Sequence, residues 1–94
     1  MSNPLSTLAD SLEQVFDDAV EQGNDDELFA SGYLRGHFDL VVAQLELQGE
    51  SSADALWPAL QDALELTKGE LNPQDRKHVQ AMFMRLQTHA ELQA

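Results

Sequence analysis

From Asn24 to about Gln48 the chain reads as one long helix with hardly any polar side. Stepping its residues at 100° leaves a single polar strip of Ser31, Arg35, Asp39 and Glu46, interrupted by Val42. Leu28, Phe29, Tyr33, Leu34, Phe38, Leu40, Val41, Ala43, Leu45 and Leu47 occupy most of the rest. A helix that is apolar on most of its girth must be covered from several sides. This segment therefore belongs at the centre of the molecule, and the other segments are its cover.

Those segments carry helical patterns of their own. Leu5, Leu8, Ala9, Leu12, Val15, Phe16, Ala19 and Val20 recur at i, i+3 and i+4, with Asn3 as cap and Pro4 at the first helical position. Their opposite side, Asp10, Glu13, Asp17, Asp18 and Glu21, is wholly acidic. The second helix opens on "NDDE", where Asn24 caps and three acids face the positive helix end. A third helix follows "SSAD" and carries Leu56, Leu60, Ala63 and Leu64 on one face. Pro58 requires it either to start at Trp57-Pro58 or to bend there. A fourth opens on "NPQD", with Asn72 as cap, Pro73 at the first position and a stripe of Val79, Met82, Phe83, Leu86 and Ala90. It alone has a basic bias, from Arg76, Lys77 and Arg85, which predicts an acidic neighbour. No segment alternates with the period of a strand, and the connections are short. The expected fold is all-α: one domain over residues 1–94, a four-helix up-and-down antiparallel bundle with helix two (about 24–48) central.

Composition narrows the function. Of 94 residues, 17 are Asp or Glu and 5 are Lys or Arg, a formal net charge of −12. Such a surface repels phosphate backbones and anionic lipid, so no nucleic-acid or membrane partner is expected. Solubility is the simplest use of the excess; a basic protein partner is the more specific one. With no cysteine, disulfides and thiolate metal sites are excluded. The N-terminal "MSNPLSTLAD" lacks the basic and apolar regions of a signal peptide, and no apolar run approaches a membrane span, so the expected residence is cytoplasmic.

"SGYLRGH", residues 31–37, is the stretch that asks for an explanation. Each glycine inside a helix costs about 1 kcal/mol relative to alanine. Gly32 and Gly36, with Ala43, make a small-residue strip whose simplest compensation is the close approach of a neighbouring helix. The rival account breaks the helix near Ser31-Gly32. Arg35 is expected to pair with Asp39 one turn later. His37 is expected half-buried and hydrogen-bonded beside Tyr33, with Gln44 on the same flank. Gly32, Tyr33, Arg35, Gly36, His37 and Gln44 together form the candidate interaction or ligand surface.

Chemical motifs are absent. There is no nucleophile elbow, phosphate-cradling glycine loop or H-E-x-x-H, and "NDDE" lacks the alternation of a calcium loop. His78 and His89 lie about 16 Å apart along one helix at 1.5 Å per residue and cannot share a metal. No catalytic residue, cofactor or metal ligand is assigned.

"DDELFASGYLRGHFDL" and "ELNPQDRKHVQAMF" resemble the YfcL-like family of small bacterial proteins. The resemblance implies an all-helical gammaproteobacterial domain and brings no catalytic or binding residues with it.

The leading functional expectation is a non-enzymatic protein-interaction module that docks a partner beside helix two, or through a patch containing Trp57 or Met84. The alternative is a small-ligand or enzymatic site around Tyr33, Arg35 and His37, with Gln44. Mimicry of nucleic acid by the acidic faces is a third. A homodimer through helix two follows if three helices fail to cover its apolar girth.

Overall fold

Asparagine caps set the start of three of the four helices in the computed structural model, which describes residues 3–92. Asn3 accepts from the Ser6 amide at 2.8 Å and opens α1 (Pro4–Gln22). Asn24 accepts from Glu27 at 2.9 Å and opens α2 (Asp25–Leu47), and Asn72 accepts from Asp75 at 2.7 Å and opens α4 (Pro73–Leu92). Each cap satisfies one of the amides that the first helical turn leaves without a partner.

The stops are equally local. A Cβ at Gly23 would collide with the Ala19 carbonyl, so only glycine fits the two-residue connection from α1 to α2. Gly49 takes the left-handed φ of 79°. Its amide bonds to Glu46 and that of Glu50 to Leu45, the paired closure of a Schellman turn. After a 3₁₀ turn at Ala53–Ala55, α3 runs Leu56–Thr67. Pro58 is its third residue and is exposed, so its missing N–H falls in the first turn, where no intrahelical bond is needed.

The helices alternate in direction and form the expected bundle, but its cross-section is flattened, with extents of 38 × 28 × 18 Å. α2 touches all three other helices, its diagonal partner α4 among them. α1 also lies against α4, while α3 leans on α2 and meets α4 through a T-shaped contact of Trp57 with Phe83, 6.0 Å between rings. The front of α1 is tied to the approach to α3 by the Leu5 amide, which donates to the Ser51 carbonyl at 3.0 Å. The core is one cluster: Leu5, Leu12, Val15 and Phe16 of α1, Ala30, Leu34, Phe38 and Val41 of α2, Leu56, Leu60 and Leu64 of α3, and Val79, Met82, Phe83 and Leu86 of α4. Among the described residues no helix is long and apolar enough to cross a membrane.

α2 is unbroken through Ser31-Gly32, so the broken-helix account is set aside. Ser31 departs from expectation in another way. The wheel places it on the polar strip, yet it is 1% exposed and its hydroxyl has no hydrogen-bond partner. The residues at the other end of that strip, Asp39 and Glu46, are exposed, whereas Ser31 lies inside the bundle. A buried hydroxyl without a partner costs about 1–3 kcal/mol of desolvation. Ser31→Ala removes that cost at nearly constant volume, so chemical denaturation is expected to show it about 1 kcal/mol more stable than the parent. A loss of stability would mean that the hydroxyl is satisfied in solution.

Candidate functional site

The core side of α2 is defined by Ala30, Leu34, Phe38 and Val41, which leaves its opposite side outside the bundle. Gly32, Gly36, Ala43 and Gln44 are all on exposed positions there. The expected close approach at the glycines does not occur: a Cβ added at Gly32 or Gly36 would meet nothing within 4 Å. The wheel groups the small residues correctly, but three neighbours suffice to cover only half of an almost uniformly apolar helix, and the small-residue strip is in the half left open.

Large apolar side chains share that open half. Phe29 is 42% exposed, Leu40 58% and Leu47 88%. Together with the small residues they run Phe29, Gly32, Gly36, Leu40, Ala43, Leu47, steps of three and four that keep one face of a helix. The result is an apolar ridge about 27 Å long at 1.5 Å per residue, with a notch at the glycines and acids at its edge in Asp39 and Glu46. Single exposed leucines are ordinary; a contiguous line of them is not.

Tyr33 and His37 form one flank of this face. The Tyr33 hydroxyl donates to Thr67 Oγ1 at 2.8 Å, and the Thr67 hydroxyl donates onward to the Ala63 carbonyl at 3.3 Å. These bonds pin α2 to the end of α3. The His37 ring lies 4.8 Å from the Tyr33 ring, and the Phe29 ring stacks at 6.0 Å on its other side. His37 is half-buried as expected, with the Tyr33 ring as its contact rather than the hydrogen bond foreseen.

Arg35 belongs to the other flank. It reaches Glu13 of α1 in a direct ion pair and Asp17 at 3.6 Å, with its guanidinium 5.6 Å from the centre of the Phe16 ring. The anticipated Asp39 partner is thus replaced by two acids of the neighbouring helix. Both side chains of the Arg35–Glu13 pair remain about a third exposed, which keeps its net value to about 0.2–1 kcal/mol. The candidate residues therefore separate: Tyr33 and His37 converge, Arg35 diverges from them, and Gln44 stands exposed beyond the aromatic pair. Tyr33 also borders a narrow cavity of about 50 Å³ between α3 and α4, whose lining includes neither Arg35, His37 nor Gln44. That is room for one or two water molecules.

The remaining candidates resolve into pairings between helices. The acidic neighbour expected for the fourth helix is the start of α2: Arg85 bonds Glu27 at 3.4 Å and His78 approaches Asp26 at 3.5 Å. His89 meets Ser11 Oγ at 3.2 Å. Met84 is 62% exposed and borders a groove between α1 and α4, whereas Trp57 is half-buried against Phe83. Sequence reasoning missed the exposure of Leu40 and Leu47. The i, i+7 spacing shared with Gly36 and Ala43 was the available signal.

Because the glycines face open space at ordinary φ, Gly36→Ala is expected to stabilise the isolated chain by up to about 1 kcal/mol through helix propensity. Urea denaturation at low protein concentration measures this directly. A buried seam would give the opposite sign.

The family model for the YfcL protein matches residues 6–88, from the first turns of α1 to the last of α4. The chain is 42% identical over 81 residues to "Uncharacterized protein YfcL" of Escherichia coli (strain K12), an alignment that covers 84% of this chain and 88% of that protein. No solved structure matches the chain. The match runs through all four helices, including the whole outer face of α2, and the chain belongs to the YfcL family.

Proposed function

We propose that this chain is a non-enzymatic protein-interaction module that docks a protein partner on the outer face of α2. The observation that carries the reading is the line of exposed apolar and small residues from Phe29 to Leu47. An apolar centre with a polar rim is the usual anatomy of a protein interface, and here Asp39, Gln44 and Glu46 supply the rim. The notch at Gly32 and Gly36 lets another backbone or a bulky side chain come close, which adds shape to an otherwise smooth ridge. Tyr33 stiffens the face through its bond to Thr67, so little ordering is needed on binding. The divergence of Arg35 from Tyr33 and His37 favours this reading over a small-ligand or enzymatic site built from the three.

A photo-crosslinking amino acid at position 40 is expected to trap a discrete protein adduct in living cells. The same group at position 66, an exposed leucine of α3, serves as the comparison. An adduct ladder no stronger at 40 than at 66 would refute docking on α2.

A further inference from the structure

A groove of about 750 Å³ lies between the first half of α1, the 3₁₀ turn with the start of α3, and the end of α4, and no residue of α2 lines it. We propose that this groove binds a small organic amine, its ammonium group held by the carboxylates of Asp54 and Glu91 and its hydrocarbon body laid against Trp57 and Leu8. The site is separate from the outer face of α2 and does not rest on the reading above.

The volume falls within the roughly 300–1,000 Å³ of small-molecule sites. Leu8, Trp57 and Ala90 are half-buried and give the groove an apolar floor, while the exposed Asp54 and Glu91 stand at its rim. The Trp57 ring meets Phe83 at 6.0 Å between centres, so the floor is ordered before any ligand arrives. An indole beside carboxylates suits a cation that carries hydrocarbon, because the ring attracts the charge and its area covers carbon. Among the described residues, the side chains of Asp54, Gln87 and Glu91 make no hydrogen bond or ion pair within the chain. A ligand can take them without displacing a protein partner.

What surrounds the groove selects the sign of the ligand's charge. No lysine, arginine or histidine is in its lining, and His89 reaches it only through Ser11 Oγ at 3.2 Å. The last turn of α4, with Ala90 and Glu91, brings the negative end of a helix. The first turn of α1 brings a positive end, but its amides are already used: Pro4 has none, Leu5 donates to the Ser51 carbonyl at 3.0 Å and Ser6 to Asn3 Oδ1 at 2.8 Å. The Ser51 and Ser52 amides donate to Glu50 Oε1 at 3.1 and 3.0 Å, and that of Asp54 to Ser52 Oγ at 3.3 Å. An anion would find all these donors taken and would meet two carboxylates and a net charge of −12. A cation is attracted by the rim and by the whole molecule alike.

Trp57 is the only tryptophan of the chain, so its fluorescence reports on this groove directly. Benzylamine, protonated at neutral pH, is the probe, with benzyl alcohol as its neutral counterpart and benzoate as the anion. The expected result is a saturable change of emission with a Kd of about 1 mM for benzylamine, weakened as salt is added, and none for benzoate. Asp54→Asn and Glu91→Gln each weaken benzylamine about threefold or more. Asp62→Asn, an exposed acid of α3 outside the groove, changes the net charge equally and leaves binding unchanged. Circular dichroism establishes that all three variants remain folded. Emission that does not move up to about 50 mM benzylamine overturns the site. Benzyl alcohol binding as tightly as benzylamine overturns the choice of a cation, and an equal loss in Asp62→Asn reduces the effect to net charge. A capped lysine tripeptide that binds more than about tenfold tighter than benzylamine, and loses affinity in Glu91→Gln, overturns the small-molecule occupant in favour of a basic protein segment.

Discussion

The contact between Phe16 and Phe38 is the joint on which the bundle turns. Both rings are shut away from solvent, 5.3 Å apart and tilted by 54°, a geometry that favours aromatic pairs beyond the area they bury. It fixes the azimuth of α2 about its own axis. Once Phe38 faces α1, residues one and two turns away, Leu34, Ala30 and Val41, must face inward too, and α3 and α4 have a defined surface to cover. Arg35 closes the joint from the outside, set over the Phe16 ring and held by Glu13 and Asp17. Rotating α2 by a third of a turn would lose the ring contact and the ion pairs together.

That choice of azimuth divides an apolar helix into a covered and an uncovered half. A square bundle would surround α2 no better, since each helix there has two neighbours. The flattened arrangement gives α2 three neighbours by letting it touch α4 across the diagonal, and the cation-bearing side of α4 meets the acids at the start of α2 through His78 and Arg85. Even so, three helices on one side of a fourth leave the far side free. The exposed ridge is thus a geometric consequence of an all-round apolar helix in a bundle of four.

The helices were readable because their signals are local. Asn3, Asn24 and Asn72 cap, Pro4 and Pro73 occupy first positions, and Gly23 and Gly49 close, each for reasons contained within a few residues. The face of α2 was not readable for the same reason that made it central. A wheel reveals orientation through contrast between polar and apolar sides, and α2 has little. The weak contrast puts Ser31 among polar residues and the glycines in a seam, and the structure reverses both. Contacts joining distant parts of the chain, Tyr33 to Thr67 and Arg35 to Glu13, depend on how helices are rotated against one another, which periodicity alone does not specify.

The glycines sharpen the distinction between what folds this chain and what it is for. At Gly23 and Gly49 the backbone demands glycine, through a collision in one case and a left-handed φ in the other. At Gly32 and Gly36 the backbone is ordinary helix, space is open, and each residue weakens α2 by about 1 kcal/mol relative to alanine. Nothing inside the monomer offsets that cost. A partner docked on this face, as proposed above, would offset that cost by approaching the helix closely, and the flanking Phe29, Leu40 and Leu47 would be buried on the same approach. Docking of that kind would relieve two costs of the isolated chain, glycine in a helix and exposed hydrocarbon beside it, at one face.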